Sequence, residues 1–185
     1  MRIIGGELKG KKIITNLDMP YRPTKSIARE MIFNVLSNLQ ENRKSLINGA
    51  NVLDLFCGSG ILGIESLSQG AANVTFIDSS KHVIHLLRQN LMNLEILDKS
   101  TLKIAELKNF YNFEQVFDIV FIDPPYNFLF LDHVFRHLIE QNCLKKESTI
   151  LLEVESSKRI NIPDCFILTK ERIFGKSKFL FISVE

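Results

Sequence analysis

A glycine-rich turn constrains the fold of this chain more than any other stretch. An apolar run ending at Phe56 enters the turn, and a helical pattern leaves it. Gly58, Gly60 and Gly63 fit the spacing G-x-G-x-x-G, in which glycine permits a positive φ and lets a ligand approach the backbone. Asp78 ends the next apolar run, eighteen positions after Gly60, where a carboxylate accepts hydrogen bonds from ribose hydroxyls. The pattern predicts a nucleotide-like ligand at the edge of a parallel sheet.

Apolar runs of strand length alternate with helical patterns along the rest of the chain. The predicted strands are 51–56, 74–78, 102–105, 116–123 and 149–154, and the predicted helices are 26–39, 61–69, 81–94 and 129–141. Four successive apolar residues at 119–122 indicate a strand that is buried on both faces, as in a parallel sheet. The tail segments 166–169 and 179–184 predict an antiparallel hairpin. The order predicts an α/β fold with a doubly wound, seven-stranded, mostly parallel sheet that the C-terminal hairpin completes.

The basic residues are concentrated at the N-terminus. The first 30 residues carry seven Lys or Arg and three acids, whereas the whole chain of 185 residues has a net charge of +2. Residues 1–45 are predicted to form a small extension, with a β-hairpin and a helix, on a core at 46–185. The apolar stripe predicted for that helix is Ile27, Met31 or Ile32, Val35 and Leu39, which leaves Arg29 and Asn34 off the stripe. A basic extension indicates a polyanionic partner, with a merely solvated face as the alternative.

A second informative stretch, Asp123-Pro-Pro-Tyr126, follows the buried strand. Its two prolines stiffen the loop and remove two backbone donors, so the groups left exposed are acceptors: the Asp123 carboxylate and the Pro124 carbonyl. Tyr126 adds a flat face on which a nucleobase stacks. Two acceptors beside a stacking face suit the exocyclic amine of a purine or of cytosine. An amine held in this way keeps its lone pair directed toward an electrophile in the glycine crevice.

The carboxyl ends of parallel strands meet at one edge of a doubly wound sheet. The glycine turn, Asp78, Glu106 and Asp123 are therefore expected to line one crevice. Asp54 precedes the turn and is expected to orient it, and Glu106 is placed to reach an adenine amino group. Cys57 is predicted to be a small buried filler rather than a nucleophile, since no base lies near it in the sequence.

Other features exclude several classes of protein. Three scattered cysteines without a C-x-x-C pair argue against a disulfide framework or a zinc knuckle. His133 and His137 are four residues apart on a predicted helix but have no evident third ligand, so no metal site is predicted. The sequence has no signal peptide and no apolar run near 18 residues, which predicts a cytoplasmic protein without a membrane partner. A monomer is expected.

These stretches resemble motifs of class I S-adenosylmethionine-dependent methyltransferases, which have a Rossmann-like fold. Asp54-x-x-x-Gly58-x-Gly60 is similar to their motif I, Asp78 to the acidic residue that ends the second strand, and Asp123-Pro-Pro-Tyr to motif IV of amino methylases. The N-terminal Met-Arg-Ile-Ile-Gly-Gly, the later Arg-Pro-Thr and the Arg-Glu-x-x-Phe-Asn of the first helix together resemble the RsmD family of 16S rRNA guanine-N2 methyltransferases.

The resemblance implies a cofactor, a substrate and a set of site residues. The cofactor is S-adenosyl-L-methionine, with binding residues Asp54, Phe56, Cys57, Gly58, Ser59, Gly60, Asp78, Ser79, Glu106 and Asp123. The catalytic residues are Asp123, Pro124, Pro125 and Tyr126, and the RNA-binding residues are Arg2, Lys9, Lys11, Lys12, Arg22, Thr24, Arg29 and Asn34. The implied reaction is methylation of the N2 amine of a guanine in 16S rRNA, within an assembled or assembling 30S subunit.

Three other functions compete with this one. A DNA amino-methyltransferase uses the same core and loop, but 185 residues leave little room for the target-recognition domain that a sequence-reading DNA enzyme needs. A non-catalytic RNA-binding assembly factor would keep the fold, but this chain has both the glycine turn for the methyl donor and the Asp123-Pro-Pro-Tyr126 loop, called the acceptor loop below. An NAD-type oxidoreductase has no use for the Asp-Pro-Pro-Tyr loop.

Overall fold

The computed structural model describes residues 1–15, 26–38, 45–106, 112–113, 115–125 and 128–185. In these residues the α-helices and strands follow one another in the order α1 (Ser26–Ser37), β1 (Asn51–Leu55), α2 (Ile61–Ser68), β2 (Asn73–Asp78), α3 (Lys81–Asn93), β3 (Ser100–Ile104), β4 (Phe117–Ile122), α4 (Leu131–Glu140), β5 (Leu144–Glu155), β6 (Phe166–Phe174) and β7 (Ser177–Val184). The predicted elements are present, although β5 and β6 extend beyond the ranges that the sequence indicated.

The seven strands form one sheet in the order β3-β2-β1-β4-β5-β7-β6. The first five strands of this order are parallel, and β7 runs antiparallel to both β5 and β6. The predicted mostly parallel sheet with a C-terminal hairpin is therefore confirmed. The winding reverses between β1 and β4, and the crevice for a ligand lies beyond the carboxyl ends of the strands at that point.

Each face of the sheet carries its own apolar cluster. One cluster joins α1, α2 and α3 to side chains such as Ile119 and Phe121, and the other joins α4 to Val120 and Ile122. The four successive apolar residues of β4 are thus buried alternately on the two faces, as a central parallel strand requires. This double covering leaves the two ends of the strands as the places where polar side chains meet solvent.

The N-terminal segment is less regular than the predicted hairpin. Its two arms pair antiparallel at a single bridge, between Arg2 and Lys12, and the Ile3 N–H donates to the Lys11 carbonyl at 3.0 Å. The Glu7 N–H donates to the Ser68 carbonyl of α2 (2.8 Å), and the amide side chain of Asn90 in α3 donates to and accepts from the backbone of residue 14. Hydrogen bonds to α2 and α3 therefore attach this short hairpin-like loop to the core.

The buried face of α1 differs from the predicted stripe. Ile27 is 60% exposed, whereas Arg29 is only 2% exposed, so the helix is rotated relative to the prediction. The buried apolar residues are Ala28, Ile32, Phe33, Val35 and Leu36. The rotation is possible because the Arg29 Nε lies 3.4 Å from a carboxylate oxygen of Glu65, which neutralises the buried charge. No helix in the described ranges is long and apolar enough to cross a bilayer.

Candidate active site

The glycine turn has the backbone geometry that its sequence predicts. Gly58 and Gly60 have φ angles of 50° and 71°, and Gly60 is the N-cap of α2. A Cβ on Gly63 would lie 2.2 Å from a ring carbon of Phe76, so a side chain there would force α2 away from β2. Phe56 also has a positive φ of 57°, which is costly for a residue with a bulky side chain. The turn is therefore tight, closely packed and strained at its entry.

Asp78 closes the turn from the neighbouring strand. One of its carboxylate oxygens accepts from the Gly58 N–H at 3.0 Å, and the other accepts from the Ser80 N–H at 2.9 Å. Ser80 is itself the N-cap of α3, and the exposed Ser79 lies between the two. Because a carboxylate oxygen can accept more than one hydrogen bond, the half-buried Asp78 retains acceptor capacity besides these two bonds.

Asp54 lies beneath the turn and is almost fully buried. Its carboxylate accepts from the Gly63 N–H at 3.0 Å, which ties β1 to the first turn of α2. Burial raises the pKa of Asp54 to about 8, the hydrogen bond from Gly63 offsets part of that rise, and the charge of Asp78 adds to it. Asp54 thus fixes the start of α2 relative to β1, as expected of a residue that orients the turn, and its contact with a ligand stays a prediction.

An Asp54→Asn variant is expected to change how stability depends on pH. The ordinary pKa of the carboxyl is 3.8 and its folded value is about 8, so between these values the folded protein holds more protons than the unfolded chain. The contribution of Asp54 to stability therefore falls as pH rises through that window. Urea unfolding from about pH 4 to about pH 8 should show that the free energy of unfolding of the variant increases relative to that of the wild type as pH rises. A difference that stays constant with pH would contradict this assignment.

Asp123 stands at the carboxyl end of β4 beside a carboxylate that the sequence prediction missed. Ile122 pairs with Leu152, which places Asp123 next to Glu153 of β5. Asp54 pairs with Phe121, two residues before Asp123, so it faces the same side of the sheet. Burial, then the charge of Glu153, then that of Asp54 raise the pKa of Asp123 well above its ordinary value. The crevice thus has a wall of carboxyl groups whose ionised forms a cationic ligand would favour.

The acceptor loop is attached to its surroundings at Phe128. The Phe128 N–H donates to the Pro125 carbonyl at 2.8 Å, and its ring packs edge-on against Phe56 with centroids 4.9 Å apart. The Lys158 ammonium group donates to the Phe128 carbonyl at 3.0 Å. The loop is therefore joined to the glycine turn on one side and to the segment after β5 on the other. Neither Phe128 nor Lys158 belonged to the predicted site.

The remaining residues of the predicted site differ in how deeply they are buried. Cys57 is buried, and burial raises the pKa of its thiol well above the ordinary value, as expected for a filler rather than a nucleophile. Pro124 is buried, Pro125 is exposed, and Glu106 lies exposed just after β3. Arg22, Thr24 and Tyr126 lie outside the described residues, as does Leu39 of the predicted α1 stripe.

The predicted RNA-binding residues are mostly at the surface. Arg2, Lys9, Lys11, Lys12 and Asn34 are exposed, and the Arg2 guanidinium donates to the Gly10 carbonyl within the N-terminal loop. The placement of Arg29 as a surface contact is wrong, because its guanidinium is buried against Glu65 and donates to the Arg2 carbonyl at 2.8 Å. Arg29 therefore acts inside the protein, below the loop that presents the exposed cations.

Residues 1–183 match the family model described as conserved hypothetical protein 95. The chain belongs to this family, the RsmD family. A relative from Haemophilus influenzae named ribosomal RNA small subunit methyltransferase D is 35% identical over 182 residues, which cover 95% of this chain and 89% of that protein. The Escherichia coli protein of the same name is 30% identical over 177 residues, covering 95% and 86%.

The structural similarity of this RsmD-family chain extends over its whole length. A solved structure from Escherichia coli that carries a methyltransferase name has a TM-score of 0.85 at 30% identity, covering 100% of this chain and 98% of that one. A methylase structure from Haemophilus influenzae has a TM-score of 0.80 at 30% identity, covering 99% and 97%. The predicted class I methyltransferase fold is thereby confirmed.

Proposed function

We propose that this chain transfers a methyl group from S-adenosylmethionine to the N2 amine of a guanine in 16S rRNA. The observation that carries the proposal is the position of Asp123, an acceptor for an amine, at the end of the strand beside the glycine turn. Relatives at 30–35% identity that cover nearly the whole chain are named small-subunit rRNA methyltransferases.

The acidic crevice fits S-adenosylmethionine, which supplies a methyl group on a positively charged sulfur. Asp78 accepts from the ribose hydroxyls while its bonds to Gly58 and Ser80 hold it in place. Burial and the charges of neighbouring carboxylates raise the pKa values of Asp54 and Asp123, and a cation beside them favours their ionised forms. A bound cation therefore prepares Asp123 to act as an acceptor. Glu106 remains the candidate contact for the adenine amino group.

The acceptor loop holds the guanine. The two N–H groups of N2 donate to the Asp123 carboxylate and to the Pro124 carbonyl, while Pro125 stiffens the loop and Tyr126 stacks on the base. Positioning supplies most of the acceleration, because the amine is aimed at the methyl carbon before the bond forms. The amine proton becomes acidic as the N–C bond forms, so Asp123 need not be a strong base.

The N-terminal extension, residues 1–45, serves as the RNA-binding region. Arg2 and three lysines present positive charge on a loop that α2 and α3 hold, while Arg22, Thr24 and Asn34 remain further candidate contacts. The partner is 16S rRNA in an assembled or assembling 30S subunit, and the protein acts as a cytoplasmic monomer. Arg29 belongs to the support of this loop and not to its RNA-facing surface.

A methylation assay on 30S subunits, naked 16S rRNA and duplex DNA tests the proposal. The protein is incubated with labelled S-adenosylmethionine, and mass spectrometry then maps the modified base and the modified atom. Label on N2 of one guanine in rRNA is the expected result. Label on an adenine or cytosine amine in DNA would support the DNA amino-methyltransferase, and no label on any substrate would support a non-catalytic assembly factor.

A triple replacement of Lys9, Lys11 and Lys12 by alanine is expected to weaken RNA binding and to make it less sensitive to salt. Each lost phosphate contact lowers the slope of log K against log salt by about 0.7 to 0.9. RNA affinity measured by titration at several salt concentrations checks this. The matched control replaces the exposed Lys99, Lys146 and Lys176, which removes the same charge elsewhere. An equal change of slope in both triple variants would contradict RNA binding that is localised at the N-terminal loop.

A further inference from the structure

Two apolar side chains stand exposed immediately after the acceptor loop. Leu129 is 83% exposed, the largest exposed fraction of any large apolar side chain in the described residues, and Phe130 beside it is 43% exposed. The helix α4 begins at the next residue, the buried Leu131. A single exposed apolar residue is ordinary on a protein surface, but two in succession at the rim of the crevice form a local apolar projection.

The base of this projection is held by contacts on three sides. The Phe130 ring packs edge-on against Phe128 and against His133, with centroid distances of 5.9 Å and 5.8 Å. The Phe130 carbonyl accepts from the backbone N–H groups of His133 and Val134, which start α4. Phe128 is in turn packed on Phe56 of the glycine turn. Leu129 therefore projects into solvent from a backbone that is joined to both halves of the site.

The reaction creates a partner for such a projection. An enzyme that acts on a base must take it out of its stack, which leaves one face of the flanking base without a neighbour. Nucleic-acid-binding proteins fill such gaps with apolar wedges, for which leucine and phenylalanine are suited. The Phe128 N–H donates to the Pro125 carbonyl at 2.8 Å, so Leu129 lies one residue from a contact with the loop that holds the amine in the proposed function. A nucleotide that flanks a guanine bound at that loop is therefore within reach of this part of the rim.

We propose that Leu129, supported by Phe130, is an apolar wedge that packs against the nucleotide stacked beside the target guanine and keeps the guanine extruded. The occupant is that flanking nucleotide of the RNA substrate. The inference rests on the proposed function, since the RNA must enter at the acceptor loop. It assigns a positioning role to residues that make no contact with the transferred methyl group.

The test compares Leu129→Ser with Ile173→Ser, a matched control in β6 whose side chain is 61% exposed. Two substrates are used: folded rRNA in which the mapped target guanine is stacked, and a short unstructured RNA with the same target. Leu129→Ser is expected to lower kcat/KM on the folded RNA about tenfold, because the apolar contact of the leucine side chain with the base is lost, and on the unstructured RNA less than about twofold. Ile173→Ser is expected to match the wild type on both.

Several results would overturn the wedge. These are activity of Leu129→Ser within about twofold of the wild type on folded RNA, an equal loss on the two RNAs, or the same loss in Ile173→Ser. A loss of activity that occurs with 30S subunits but not with naked folded rRNA would indicate that Leu129 contacts a ribosomal protein, and would also overturn the wedge.

A binding measurement separates this inference from the proposed function. The fluorescent base 2-aminopurine is placed beside the guanine in the folded RNA, and its emission rises when it loses its stacking neighbour. The wild type is expected to raise the emission on binding, and Leu129→Ser is expected to raise it much less at saturating protein. If the wild-type protein transfers no methyl group, the proposed function is overturned. The emission change would still decide for or against the wedge.

Discussion

An Asp123→Ala variant is expected to lose methyl transfer by about two to four orders of magnitude while it binds S-adenosylmethionine much as the wild type does. Asp123 follows the last residue of β4 and lies beside Glu153, and in the proposed function its carboxylate is the acceptor that orients the guanine amine. Alanine removes that acceptor and leaves the glycine turn and Asp78 unchanged. Single-turnover transfer of a labelled methyl group measures the chemical step, and calorimetry with S-adenosylmethionine measures cofactor binding.

Stability measurements keep this result from being mistaken for unfolding. Burial and the nearby charges of Glu153 and Asp54 disfavour the ionised Asp123, so its removal relieves repulsion and should not lower the midpoint of thermal unfolding. Asp132→Ala, which removes an exposed carboxylate from the first turn of α4, serves as the matched control with near-normal turnover expected. Near-normal turnover of Asp123→Ala itself would refute the mechanism.

A Glu65→Ala variant is expected to be less stable than the wild type by about 3 to 5 kcal/mol. Glu65 is fully buried and accepts from the N–H groups of Ile4 and Gly5 at 2.8 Å and 3.3 Å, besides its ion pair with Arg29. Alanine leaves a buried guanidinium without its counter-charge and two backbone donors without an acceptor. Urea unfolding measures the loss, and hydrogen exchange at Ile4 and Gly5 reports whether the N-terminal loop opens first.

A double variant distinguishes the ion pair from general packing. Burial lowers the pKa of Arg29 and raises that of Glu65, so desolvation opposes both charges even though they attract each other. Replacing the pair together, as Arg29→Met with Glu65→Leu, should therefore recover much of the stability that Glu65→Ala loses. The donors of Ile4 and Gly5 remain unsatisfied, so recovery stays incomplete. A double variant less stable than Glu65→Ala would show that the pair is a net source of stability.

Local signals made the core of the fold predictable. The glycine turn and the apolar runs each carry their pattern within about ten residues. The mostly parallel sheet and the positions of Asp54, Asp78 and Asp123 at strand ends therefore followed from the alternation of elements. The face of α1 did not follow, because burial of Arg29 depends on Glu65, 36 positions away in the sequence. Arg29 was predicted at the surface because it is charged, whereas its ion pair with the distant Glu65 allows it to be buried.

The site shows the same division between local and distant information. Glu153 carried a readable signal, since it is an acid near the carboxyl end of a predicted parallel strand, like the other acids of the crevice. The contacts of Phe128 had no such signal, because the ring of Phe56 and the ammonium of Lys158 reach it across separations of 72 and 30 residues. Periodicity reports which residues share a face of one element, but not which loops meet.

The attachment of the N-terminal loop has a consequence for biosynthesis. Residue 4 binds a side chain 61 positions later, and residue 14 binds one 76 positions later. A growing chain emerges N-terminus first, so the basic loop leaves the ribosome well before α2 and α3 exist to receive it. Contacts at such separations also form late, because their loop-closure entropy is large. The N-terminal loop is therefore expected to reach its final position after α2 and α3, although it is made before them.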